Sequence, residues 1–117
     1  FGCVNFDNLV SGGINSCEIT EICGSSSTGK TQICLNLIIN MLKTNESFTC
    51  VYIDSNKNFC HKRLTNLIKF HIPNSNIEKL LKKVQIIDCL NIFHLLDILF
   101  SFKKYSSRKS HNNTEFS

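Results

Sequence analysis

Cys17-Glu18-Ile19-Thr20-Glu21-Ile22-Cys23-Gly24-Ser25-Ser26-Ser27-Thr28-Gly29-Lys30-Thr31-Gln32-Ile33 reads as a strand, a glycine-bracketed loop and the start of a helix. Residues 24–31 spell G-x-x-x-x-G-K-T, the pattern of a phosphate-binding loop. Glycine at 24 and 29 permits backbone angles that a Cβ would forbid, so successive amide N–H groups can face one concavity. A helix opening at Lys30 adds unsatisfied N–H donors and the positive end of its dipole. Lys30 would reach the outer phosphates of a nucleoside triphosphate, and Thr31 would offer its hydroxyl to Mg²⁺. At average residue usage, the four fixed positions match by chance in about one of two hundred chains of this length. The rival reading is a Gly/Ser turn that binds nothing. The β-branched run before the loop and the apolar helical run after it favour the site.

Outward from the loop, Ser11-Gly12-Gly13 is a turn signal that leads into a first strand over about 18–23. The helix from Gly29 or Lys30 to about Lys43 is apolar at 33, 34, 35, 37, 38, 39, 41 and 42. That stripe is wide enough to predict neighbours on more than one side. A turn at 45–47 follows. Thr49-Cys50-Val51-Tyr52-Ile53-Asp54 reads as a nearly continuous apolar strand, as in a parallel sheet covered on both faces. Residues 63–71 read as a helix that Pro73 stops, and Ser75 with Glu78 has the spacing of a capping box for a short helix to about Lys83. Val84-Gln85-Ile86-Ile87-Asp88 is a third strand. Asn91 can cap a last amphipathic helix with Ile92, Leu95, Leu96 and Leu99 on one face.

With 117 residues, 42% of them hydrophobic, the chain is one domain or a piece of one. The most apolar stretch, 84–102, is broken by Asp88, Asn91, His94 and Asp97, so it is not a membrane span. No secretory leader is visible. The seven cysteines (3, 17, 23, 34, 50, 60 and 89) are odd in number, and none are spaced C-x-x-C. They read as reduced, mostly buried thiols rather than a disulfide or zinc framework. Cys60-His61 is adjacent, which is not ligand spacing. The net charge of +4 is concentrated at the end, where Lys103, Lys104, Arg108 and Lys109 face only Glu115. This Ser/Asn-rich tail, 103–117, is expected to be solvated and disordered; the alternative is contact with nucleic acid.

Alternating strands and helices give an α/β fold with a parallel sheet. Three strands make a thin sheet for a nucleotide-binding core. A P-loop enzyme also needs a further strand ending in Asp to hold Mg²⁺. Asp54 and Asp88 are the candidates present, and each more naturally closes an ordinary strand. The expectation is an incomplete P-loop core over 1–102, cut short before that strand, followed by the basic tail.

Three segments carry a resemblance to a known family: 6–14, Ile19-Thr20-Glu21-Ile22-Cys23-Gly24, and Gly29-Lys30-Thr31-Gln32-Ile33-Cys34. Together they resemble the opening of the ATPase core of RecA-like recombinases of the eukaryotic branch. Val51–Asn56 with Arg63-Leu64 is similar to the family's second core strand and the arginine-leucine pair after it. Residues 84–97 are similar to the segment before its Walker B strand. Asp54-Ser55-Asn56 and Asn91-Ile92-Phe93-His94-Leu95-Leu96-Asp97 point within the family to the D-type paralogue group, accessory proteins of homologous recombination.

The resemblance implies a RecA-like fold, ATP and Mg²⁺ as cofactors, and a nuclear role in recombination repair. Other recombinase paralogues would be the partners in a hetero-complex. It assigns Gly24, Ser25, Ser26, Ser27, Thr28, Gly29, Lys30, Thr31 and Gln32 to the triphosphate, Thr31 to Mg²⁺ and Arg63 to stacking on adenine. The planar guanidinium suits that role better than lysine would. Asn56 stands where the family usually has a glutamate that activates water. An amide orients water but takes no proton at neutral pH, so slow or absent hydrolysis is implied. DNA contact is expected of a parent protein rather than of these residues. A DNA-stimulated ATPase is the alternative, and a small-molecule P-loop kinase a weaker one.

Overall fold

The computed structural model describes residues 7–8, 12–15, 17–44 and 47–114. Residues 6 and 9–11 of the lead-in, 45–46 of the turn after the first helix, Cys3 and residues 115–117 lie outside them. The elements run α1 (Lys30–Thr44), β1 (Cys50–Asp54), α2 (His61–His71), α3 (Ile77–Leu81), β2 (Val84–Asp88) and α4 (Ile92–Thr114). The chain divides into two units, one of Phe1–Val51 and Cys60–Gln85, the other of Tyr52–Phe59 and Ile86–Ser117.

In the first unit, α1 opens where the sequence predicts. Ile33 N–H donates to Gly29 O at 3.0 Å and closes the first turn. Leu35, Ile38, Ile39 and Leu42 recur at i, i+3, i+4 and i+7, and all four are buried. Ile33, Cys34, Leu37 and Met41, on the rest of the cylinder, are half-buried, so the wide stripe has partial cover on its second flank. Helix α2 contributes Leu64 and Ile68, one turn apart and fully buried. It packs on α1 and on α3. It starts at His61, two residues before the expected Arg63, after Cys60 in extended geometry with no side-chain cap. The cap of α3 also moves. Asn76, not Ser75, is the N-cap, its side chain accepting from Lys79 N–H at 3.3 Å. Ser75 Oγ instead donates to Ile72 O at 2.7 Å and holds the turn that Pro73 introduces.

The strand expected over 18–23 does not form: this segment carries no ladder, and Ile19 is completely exposed. Strand character requires a neighbour for the backbone N–H and C=O groups, and β-branched residues alone supply none. The sheet among the described residues has two strands, β1 beside β2. Cys50 N–H donates to Lys83 O at 2.8 Å at one end of the ladder, and Cys89 N–H to Asp54 O at 2.9 Å at the other. Both strands advance together along that register, so the pair is parallel, with α2 and α3 in the crossover that parallel strands require. The expected cover on both faces is also absent: Val51 is 38% exposed, and of the ten strand residues only Asp54 and Val84 are buried.

In the second unit, the Asp54 carboxylate accepts from two backbone amides, Asn56 N–H at 3.2 Å and Phe59 N–H at 2.8 Å. The Tyr52 and Phe59 rings close the same loop with centroids 4.8 Å apart. Asn91 caps α4 as predicted, its Oδ1 accepting from His94 N–H at 2.9 Å. His94 Nδ1 returns the favour by accepting from Leu90 N–H at 3.2 Å. The buried side of α4 is not the predicted one. Ile98 is buried and Leu95 and Phe102 half-buried, whereas Ile92, Leu96 and Leu99 are exposed together with Phe93 and Phe100. Apolar residues cover most of this helix's circumference, so their spacing did not specify which side faces inward. The backbone stays helical to Thr114, past the boundary at 102. No Gly or Pro interrupts it.

Candidate nucleotide-binding site

The loop at 24–29 owes its shape to two glycines acting differently. Gly29 has φ +98°, a backbone region that side chains disfavour, and Ser27 joins it at φ 60°. Gly24 has no such angle. A Cβ there would lie 2.8 Å from Thr28 Oγ1, so any other residue would have to displace that hydroxyl. Thr28 Oγ1 is held in that place by donating to Ser25 O at 2.8 Å.

The Lys30 ammonium folds back over the same loop, donating to Gly24 O at 2.7 Å and Ser25 O at 2.6 Å. An ammonium has three donors, so one remains for a ligand oxygen without breaking either contact. Beside the loop, the Cys23 thiol is pushed above its ordinary pKa by a hydrogen bond with Glu21 and, less, by desolvation, against the opposing positive charge of Lys30. It remains a protonated thiol at neutral pH.

Ser27, Thr28, Gly29, Lys30, Thr31, Gln32 and Arg63 line a cavity of about 270 Å³. All seven belong to the first unit. The helix end at Lys30 contributes free N–H groups, and the lysine contributes positive charge, so the donor set fits an anion. The volume falls just under the roughly 300–1,000 Å³ of pockets that enclose a drug-sized ligand. It is large enough for a phosphate chain. Arg63 completes the lining, and its Nη2 donates to Gln32 Oε1. Thr31, in the first turn of α1, puts its hydroxyl-bearing side chain among the lining residues, where it could meet a phosphate-bound Mg²⁺.

The chain is matched over residues 1–112 by the family model described as Rad51. It belongs to the Rad51 family. Two relatives titled "DNA repair protein RAD51 homolog 4", from Bos taurus and Mus musculus, are each 30% identical over 99 residues, 84% of this chain and 30% of the relative. The chain thus spans about 30% of the length of the curated relatives it matches. Membership in the Rad51 family carries a RecA-like fold, of which the described residues form a small α/β part with a two-stranded parallel sheet.

Within this Rad51-family chain, the cavity gathers six loop and helix-start positions with Arg63, which lies 31 residues beyond Gln32. Gly24, Ser25 and Ser26 shape the loop from outside that lining. Asn56 is not among the lining residues either; it belongs to the second unit, exposed in the bend after β1. Asp54 has both carboxylate oxygens engaged by backbone amides, which is a structural use. Asp88 is exposed at the end of β2. Among the described residues, no group of three His, Cys, Asp or Glu could hold a metal, and no helix is long and apolar enough to cross a membrane.

The six described cysteines are all free, as expected, but only Cys89 is buried; Cys17, Cys23 and Cys60 are exposed. The expectation of mostly buried thiols failed for the first two because the strand meant to bury them is absent. Sequence reading missed Asn36, whose Oδ1 accepts from Gln32 Nε2 at 3.4 Å. The i, i+4 spacing of a Gln and an Asn on a predicted helix was the available signal.

Proposed function

We propose that this chain binds ATP with Mg²⁺ at the Gly24–Thr31 loop as the nucleotide-binding part of a nuclear recombinase paralogue in homologous-recombination repair. In this reading the nucleotide mainly stabilises a hetero-complex with other recombinase paralogues on DNA. The observation that carries it is the seat itself. A glycine-shaped loop, the Lys30 ammonium and the start of α1 converge on one cavity of phosphate size. The Rad51 family match and relatives named as DNA repair proteins support the biological setting.

The chain's own groups bind and orient. Lys30 neutralises phosphate charge, the loop amides and the α1 N-terminus donate hydrogen bonds, and Thr31 supplies a hydroxyl to Mg²⁺. Arg63 offers a planar face to the base. The Thr31 hydroxyl would help to hold Mg²⁺, whose chemistry there would be to offset phosphate charge. The resemblance puts Asn56 at the position of the family's glutamate, and an amide takes no proton from water at neutral pH, so in this reading the triphosphate is a stabilising ligand that is hydrolysed slowly or not at all. A ligand that favours the assembled state shifts the equilibrium by its differential affinity for that state.

Three measurements test this. Lys30→Ala should abolish ATP binding by calorimetry and, with ATP present, weaken capture of a recombinase paralogue. Unchanged partner affinity in that variant would overturn the assembly role. Lys30-dependent turnover stimulated by single-stranded DNA would replace it with an ATPase reading.

A further inference from the structure

Among the described residues that line the cavity, Arg63 alone comes from α2 rather than from the loop and α1. What fixes it there is a side-chain relay along α1. Asn36 Oδ1 accepts from Gln32 Nε2 at 3.4 Å, and Gln32 Oε1 accepts from Arg63 Nη2. The two contacts use opposite ends of one amide, so each favours the orientation that the other needs. Gln32 and Asn36 are one helical turn apart, the spacing at which such side chains meet.

We infer that Gln32, steadied by Asn36, is a positioning residue that holds Arg63 in the cavity lining and so gives the site its preference for a nucleotide base. This rests on the proposed nucleotide seat and deepens it. The loop and Lys30 bind the phosphate chain whatever it carries. Discrimination between a nucleotide and a bare polyphosphate resides in Arg63, and Arg63 has five donors on a long flexible stem. An unanchored arginine loses rotamer entropy on stacking, and the relay removes part of that cost before the ligand arrives. A single amide of the right length at 32 satisfies both ends; an apolar side chain of the same length satisfies neither.

The test compares calorimetric affinities of the full chain for Mg-ATP and for inorganic tripolyphosphate, which lacks a base. Wild type should prefer ATP. Gln32→Met should lower the ATP preference, read as the ratio of the two affinities, by about fivefold, the value of a partly exposed cation–π stack, whatever it does to tripolyphosphate binding itself. Arg63→Ala should lower it equally, and the double variant should lower it no further, because both remove the same contact. Gln32→Glu keeps an acceptor for Arg63. It should weaken both ligands through its charge and, without the donor to Asn36, lower their ratio no more than Asn36→Ala does. Asn36→Ala should give a smaller loss in the same direction.

A wild-type ATP preference in Gln32→Met, or additive losses in the double variant, would overturn the relay while leaving the phosphate seat standing. If Gln32→Met fails to fold by circular dichroism, the Asn36→Ala and Gln32→Glu ratios decide. Binding of neither ligand by wild type would instead overturn the nucleotide reading, and the relay with it.

Discussion

Glycine is needed at 24 and at 29 for separate reasons, and the two can be told apart by one compensating substitution. Gly24→Ala brings a methyl to 2.8 Å from Thr28 Oγ1, while Thr28 Cβ is already at an ordinary 3.7 Å. Removing the hydroxyl should therefore make room: Gly24→Ala is expected to weaken ATP binding, and Gly24→Ala with Thr28→Ala to recover most of it. Gly29→Ala meets no neighbouring atom within 4 Å but forces a Cβ onto φ +98°. Its cost, of order 1–3 kcal/mol, is in the backbone, and Thr28→Ala should not relieve it. Calorimetric titration of the four variants with Mg-ATP reads both results. Equal rescue of both glycine variants would show that loop shape is set by something other than these two contacts.

At the level of the helix and strand, burial separates neighbours that composition treats alike. On α2, Ile68 is fully buried and Phe70 is 80% exposed. Ile68→Ala should cost about 2–5 kcal/mol of unfolding free energy in urea, and Phe70→Ala less than about 0.5 kcal/mol. In β1, partial burial pushes the Cys50 thiol above its ordinary pKa. The unfolded chain then loses this proton first, so stability contributed by the buried thiol is full at neutral pH and declines above about pH 8.5. Urea midpoints at pH 7 and pH 10 should differ less in Cys50→Ala than in wild type.

These elements also show what the sequence could convey. The start of α1 and its buried stripe were readable because a Gly-Lys junction and i, i+3, i+4, i+7 spacing are local signals. So was the Asn91 cap. The segment 18–23 was misread because a strand is a relation between two segments, and residue type reports only one of them. The cap of α3 slipped by one residue because Ser75 and Asn76 compete for the same role, and the turn at Pro73 takes the serine. Arg63 could be placed at the cavity by resemblance alone, since no local pattern links positions 31 residues apart.

For the chain as a whole, the decisive quantity is apolar surface left in water. Exposed large hydrophobic residues occur in both units, from Ile19 and Phe70 in the first to Ile92, Phe93, Leu96, Leu99 and Phe100 in the second. Single exposed apolar residues are ordinary, but five within nine residues of one helix form a contiguous patch of the kind that drives association. Apolar area in water is worth about 25 cal/mol per Å² when covered, so contact between copies should appear at the concentrations used for biophysical work. Phe93→Lys with Phe100→Glu replaces the two exposed rings by opposite charges without altering net charge. Sedimentation velocity at rising concentration should show self-association of wild type and its suppression in the double variant. The urea midpoint should move by less than about 0.5 kcal/mol per site, as expected for exposed positions. A loss of several kcal/mol would mean that both rings are buried within the folded chain. Unchanged sedimentation would mean that association, if present, runs through Ile19 and the ladder-free segment around it, whose backbone groups are open to pairing.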